Sequence, residues 1–164
     1  MRVIFKITAQ LFEETKTLLE RPHRFAYERV AFLRCRVGLI DRGIVILSHS
    51  RHDVEDDDYV DDQSVGAMMG PGAIRKALQS AYNEQASMFH VHLHSHRGRP
   101  HFSHVDERES ARFVPDFWNV QPDLPHGAVV LSDDSACGKC WIPGSAIPVE
   151  IAQFSVVGEP TRKL

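Results

Sequence analysis

Apolar positions along this chain fall into short runs that switch between two periods. Residues 7–20, ITAQLFEETKTLLE, put Ile7, Leu11, Leu18 and Leu19 near one helical face, and Pro22 marks the end of that helix. Residues 25–40, FAYERVAFLRCRVGLI, alternate in part and are rich in β-branched and aromatic residues, which predicts a strand. LIDRG then reads as a hairpin turn, with RGIVILSHS as the returning strand. Residues 53–62, DVEDDDYVDD, form an acidic loop, either a solvated surface or a docking patch for a basic partner. GPGAIRKALQSAYNEQA opens a second helix near Pro71 and carries Ile74, Leu78 and Tyr82 at helical spacing. SMFHVHL is an apolar strand. FSHVDERESARF predicts a third helix, which Ser103 is placed to cap, with Asp106 three residues on in capping-box position. Pro115 stops or kinks it. HGAVVLSDD and IPVEIAQFSVVG read as late strands.

That order of elements predicts a mixed α/β or α+β domain. A chain of 164 residues suits one sizeable core, and the sequence has neither an internal repeat nor a dividing linker. Residues 1–164 are therefore expected to form a single domain. Composition narrows the function. With 43% apolar and 25% charged residues and a formal net charge of −3, nothing argues for a nucleic-acid surface. No segment approaches the roughly 20 apolar residues of a membrane span. The start, MRVIFKITAQLFEET, turns polar too early for a signal peptide. Three cysteines, an odd number, favour free thiols in a reducing compartment, so a cytoplasmic protein is expected.

The candidate chemistry lies in FHVHLHSHRGRPHFSHVDE, residues 89–107, which holds six of the ten histidines. In a strand, side chains at i and i+2 share a face. His92 and His94 therefore offer two imidazoles to one ion, as do His94 with His96 and His90 with His92. Imidazole nitrogens suit zinc, and a catalytic zinc commonly takes three protein ligands and leaves a position for water. Asp106, at a helix N-terminus beyond the loop RGRPHFS, is the natural third ligand. Each residue also has a plainer reading: clustered surface histidines, an N-cap for Ser103, a helix-end charge for Asp106.

These residues resemble the JAMM metalloprotease family, the MPN-fold enzymes that include deubiquitinating isopeptidases. The family pattern is an upstream Glu, then H-x-H-P, a short loop and S-x-x-D. This sequence offers Glu28 in YERVAFLRC, the HxH and SHVD, over roughly residues 5 to 135. It departs twice. No proline follows either HxH, where Ser95 or Arg97 stands. The loop length matches neither register: His94 lies nine steps before Ser103 and His96 seven, where the family usually has eight. The ligand pair is thus His92 with His94, favoured by the apolar MFHV leading into it, or His94 with His96, with His96 as the alternate to His92.

The resemblance implies an MPN/JAB-like fold: a central mixed β-sheet flanked by helices, with cytidine-deaminase-like layering. It implies zinc held by His92, His94 and Asp106, Glu28 as general base, and Ser103 as donor to the oxyanion. It also implies hydrolysis of a peptide or isopeptide bond after the C-terminus of a ubiquitin-like protein. The similarity is nearest to short bacterial members found beside ubiquitin-like and E1-like proteins, so that protein or its conjugate, and E1-like or E2-like proteins, are the implied partners. Two alternatives stay open: a non-catalytic MPN-like scaffold or binding module, and a peptidase that processes a small sulfur-carrier-type protein. CGKC at 137–140, read on a loop between late strands, suits half of a second zinc site or a redox pair less well than an incidental spacing. A zinc deaminase is disfavoured because no Glu stands at i+2 of the histidine motif and Ala136 precedes Cys137 where proline is expected.

Overall fold

In the computed structural model, residues 1–23, 27–62 and 64–164 are described. Among them are three α-helices and strands that join in one nine-stranded mixed sheet. The chain opens on β1 (Arg2–Thr8), then α1 (Ala9–Leu19), β2 (Val30–Ile40) and β3 (Gly43–Asp53). After α2 (Pro71–Glu84) come β4 (Ser87–Leu93), α3 (His104–Phe113) and β5 (His126–Leu131). β6 (Ala136–Trp141), β7 (Val149–Glu150), β8 (Gln153–Val157) and β9 (Arg162–Lys163) complete it. The sheet order is β7-β6-β5-β4-β2-β3-β1-β8-β9. β1 runs parallel to β3 and β8, and β4 parallel to β5; the other pairs are antiparallel.

The first helix starts later than its periodicity suggests. Ile7 belongs to β1, where Val3, Phe5 and Ile7 alternate inward at period two. Thr8 ends the strand and caps α1, its hydroxyl accepting from the Leu11 N–H at 3.3 Å. Strand β2 begins at Val30; Phe25 and Ala26 lie outside the described residues. The β2–β3 hairpin turns at Asp41–Arg42, with Arg42 at φ 59°. In α2 the fully buried stripe is Ala73, Ala77 and Ala81; Ile74 and Leu78 flank it, and Tyr82 is exposed. Three alanines one turn apart let this helix lie close against the sheet.

The core lies on both faces. Alternation along β2 and β4 sends Ala31, Leu33, Cys35, Phe89, Val91 and Leu93 to the α1 side. Val30, Phe32 and Met88 go to the α2 side, against the alanine stripe and Phe117. All seven residues of β4 are buried. Since i and i+2 share a face, His90 and His92 stand on the α2 side with Met88. The mixed α/β architecture is thus as the order of elements predicts. CGKC is not on a loop: it lies in β6, with Cys137 paired to Val130 and Cys140 to Gly127. Among the described residues, no helix is long and apolar enough to cross a membrane.

Candidate metal centre

Register brings the candidate residues together. β2 and β4 run antiparallel with Val30 opposite His92. Glu28 lies two residues before β2 and His94 one residue after β4, so both stand just beyond the paired ends of neighbouring strands. His94 itself stays anchored to the sheet, its N–H donating to the Leu131 carbonyl at 2.9 Å. One carboxylate oxygen of Glu28 and one ring nitrogen of each of His92 and His94 lie within 4.8 Å of one another. This Glu/His/His group can hold a metal ion.

Glu28 lies outside the regular ladder, so its position has other causes. Its N–H and that of Tyr27 both donate to the Gly66 carbonyl, at 3.0 and 2.8 Å. The next residue, Arg29, is buried and donates to the carbonyls of Arg21 and Pro22, both at 2.9 Å, and to Asp56 Oδ1 at 2.7 Å. The acidic stretch therefore serves the fold: Asp56 holds Arg29, Asp58 pairs with Lys76 at 2.6 Å, and Asp53 pairs with Arg51.

Asp106 closes the group from α3. Ser103 Oγ accepts from the Asp106 N–H at 3.1 Å, and Asp106 Oδ2 accepts from the Ser103 N–H at 2.8 Å, a complete capping box. The box fixes the carboxylate and leaves Oδ1 facing His92. Nε2 of His92 lies 3.2 Å from Nε2 of His94 and 3.5 Å from Asp106 Oδ1; Nε2 of His94 lies 3.9 Å from Asp106 Oδ2. Donors about 2.0–2.1 Å from a tetrahedral ion stand roughly 3.3 Å apart. The two imidazole nitrogens stand at the spacing of ligands to one ion, and the Asp106 carboxylate borders them with one oxygen near each ring.

The electrostatics agree with a cation-binding pocket. Burial alone would raise the Asp106 carboxyl, but His92 and Ser103 hold it well below the usual carboxylate range. Burial raises the Glu28 carboxyl; the nearby His92 opposes this and the Asp106 charge adds to it. A carboxylate so raised is a better proton acceptor than a solvated one. Burial lowers the His94 imidazole, and neighbouring His92 lowers it further. His90, buried on the same face behind His92, is held down to about 3 by burial and is neutral. It packs edge-on against Phe32 and Phe113.

The group opens into a cavity of about 800 Å³ between α2, α3 and residues 64–69. Glu28, His92, His94, Ser103 and Asp106 all line it. Val65, Met68, Ile74 and Leu78 form an apolar wall. His96 is outside: it is exposed, its ring sits 6.1 Å from that of His94, and its Nδ1 faces the Arg97 carbonyl at 3.0 Å. Gly66 was not legible as a site residue; His90, offered by its spacing as a partner of His92, lies behind it on the same face. The two cysteines of CGKC point to opposite faces of β6, because i and i+3 alternate in a strand. Cys140 joins the α1-side core while Cys137 does not, so they cannot grip one ion or bond to each other. Burial pushes their thiols up to about 11 for Cys137 and about 12 for Cys140, which keeps both protonated. No protein-family model matches the chain, and no curated protein matches it.

Proposed function

We propose that this chain is a zinc-dependent peptidase or isopeptidase of the JAMM type, with an MPN-like fold, acting after the C-terminus of a ubiquitin-like protein. The observation that carries the reading is the meeting of Glu28 with His92 and His94 within 4.8 Å, while Asp106 stands 3.5 Å from His92 on a helix tip. A structural histidine cluster has no need of a distant carboxylate raised by burial beside it. His92, His94 and Asp106 would hold the ion, which makes His92 rather than His96 the partner of His94. Bound zinc supplies Lewis acidity, polarising a carbonyl and lowering the pKa of water.

The chain's own groups do the rest. Glu28 takes a proton from the attacking water and delivers it to the leaving amine as the C–N bond breaks; water's oxygen ends on the acyl carbon. Ser103 donates its hydroxyl hydrogen to the developing oxyanion. Its capping role is compatible with this: capping uses a lone pair of Oγ, and the O–H proton stays free. The apolar wall of the cavity excludes water from the scissile bond and receives side chains of an extended substrate. All three cysteines are free, which supports a reducing, cytoplasmic setting.

The test is metal analysis of the purified chain, followed by cleavage of a ubiquitin-like fusion with and without chelator. The reading expects stoichiometric zinc, cleavage at the modifier's C-terminus, and loss with chelator restored by zinc. A zinc-loaded chain that cleaves no such fusion or isopeptide conjugate would overturn it and favour a non-catalytic module.

A further inference from the structure

Glu28 stands outside the strand that follows it, so the sheet does not set its carboxylate. Gly66 meets it in two ways. Its carbonyl accepts the N–H groups of both Tyr27 and Glu28, at 2.8 and 3.0 Å, and fixes the backbone beneath the side chain. Its bare α-carbon faces the carboxyl group itself. A Cβ on Gly66 would lie 2.6 Å from Glu28 Oε2, 2.7 Å from Cδ and 3.1 Å from Oε1. The three nearest atoms all belong to the head group, and two of them lie closer than a real Cβ contact allows. Positive φ among glycines is found at Gly98 and Gly144, not at Gly66. A side chain here would push the Glu28 carboxyl aside, an effect of space and not of backbone conformation.

The stretch that carries Gly66 is itself held. The Val60 N–H donates to the Met68 carbonyl at 2.8 Å, Tyr59 bridges Met69, and the Gly70 N–H donates to the Asp58 carbonyl at 2.8 Å. The Tyr59 hydroxyl in turn accepts the Val30 N–H at 2.9 Å, tying this stretch to the first residue of β2. Glu28 therefore has a fixed stop on one side and His92 and His94 on the other.

We propose that Gly66 is the positioning residue for the Glu28 carboxylate, its carbonyl setting the backbone and its missing side chain setting how far the carboxylate stands from the two imidazoles. This rests on the reading of Glu28 as general base. Gly66 is not one of the proposed ligands, so the inference separates metal binding from proton transfer.

The experiment is a double-mutant cycle in the full-length, zinc-loaded chain: Gly66→Ala, Glu28→Gln and both. Gly66→Ala is expected to keep stoichiometric zinc and to change KM little, while kcat falls roughly 100-fold, the scale of a displaced catalytic group. In the Glu28→Gln background the same substitution is expected to lower kcat no further. An equal loss in both backgrounds would overturn the inference. Should Gly66→Ala fold poorly, stability is read instead, because the conflict is with one head group. Gly66→Ala then lowers the thermal midpoint beside Glu28 but not in the Glu28→Ala background, and an equal drop in both sinks the proposal. If the zinc-loaded wild type cleaves nothing, the hydrolase reading fails on its own. Positioning is then decided by the Glu28 13Cδ resonance of the metal-free protein, which Gly66→Ala should move while the amides of His92 and His94 stay in place; an unmoved resonance overturns it.

Discussion

His92 and His126 are buried imidazoles on adjacent strands, β4 and β5, yet they are different objects. The His126 ring has both nitrogens in the backbone network: Nδ1 accepts from the Met88 N–H at 3.1 Å, and Nε2 faces the Gln121 carbonyl at 3.2 Å. That pattern assigns one neutral tautomer, with the proton on Nε2. The ring also stacks on Phe117 at 5.3 Å. It is saturated and serves the core. His92 instead turns Nε2 toward another Nε2 and a carboxylate, and into a cavity. Burial of a histidine therefore does not mark a site. What its nitrogens face does.

The largest expected effect tests the site side of this contrast. Glu28→Gln should lower hydrolysis about 10²–10⁴-fold, the usual worth of a general base, while zinc content by metal analysis is unchanged. A variant that holds zinc and cleaves at the wild-type rate would remove Glu28 from the chemistry. Ser103→Ala should lower kcat by about 10²-fold through the lost oxyanion donor. It should also cost about 1 kcal/mol in urea unfolding through the lost cap. A stability loss with kcat intact would leave Ser103 as a cap alone.

His126 offers the converse. His126→Phe should leave zinc and turnover unchanged but cost about 1–3 kcal/mol, because the Met88 N–H is left buried without an acceptor. It should also flatten the acid side of the stability profile. Burial lowers the His126 pKa to about 4 from 6.5, so below the unfolded value the unfolded chain takes the proton first. Its share of stability is complete above about pH 6.5 and is lost as pH falls toward 4, up to roughly 3 kcal/mol. Urea melts of both proteins across that window measure this; parallel profiles would clear His126 of the effect. The smallest change is expected from Cys137→Ser: zinc content and turnover as in wild type, and stability within about 1 kcal/mol. Loss of zinc there would return CGKC to the metal centre.

Sequence reading went furthest where local physics decides. SMFHVHL is β4 residue for residue, and the Ser103–Asp106 box forms as its spacing says, since both depend on neighbours in the chain. β1 was hidden because its period-two run overlaps the helical spacing at Ile7, and only the Thr8 cap separates them. β6 was missed because ACGKCW has weak strand propensity; pairing with β5 makes it a strand.

By itself, then, the sequence determined most of the elements, β1 and β6 not among them, the shared face of His92 and His94, and the capped helix tip bearing Asp106. It left two histidine registers open, with His92 and His94 favoured, and did not reveal what holds Glu28. Tertiary structure gathered Glu28, His92 and His94 and supplied the contacts that hold Glu28, because both depend on residues far apart in the chain. The β2–β4 pairing ends at Val30 and His92, the Gly66 carbonyl holds the backbone of Glu28 beyond it, and the close approach of Gly66 to Glu28 comes from a chain crossing that no local periodicity encodes.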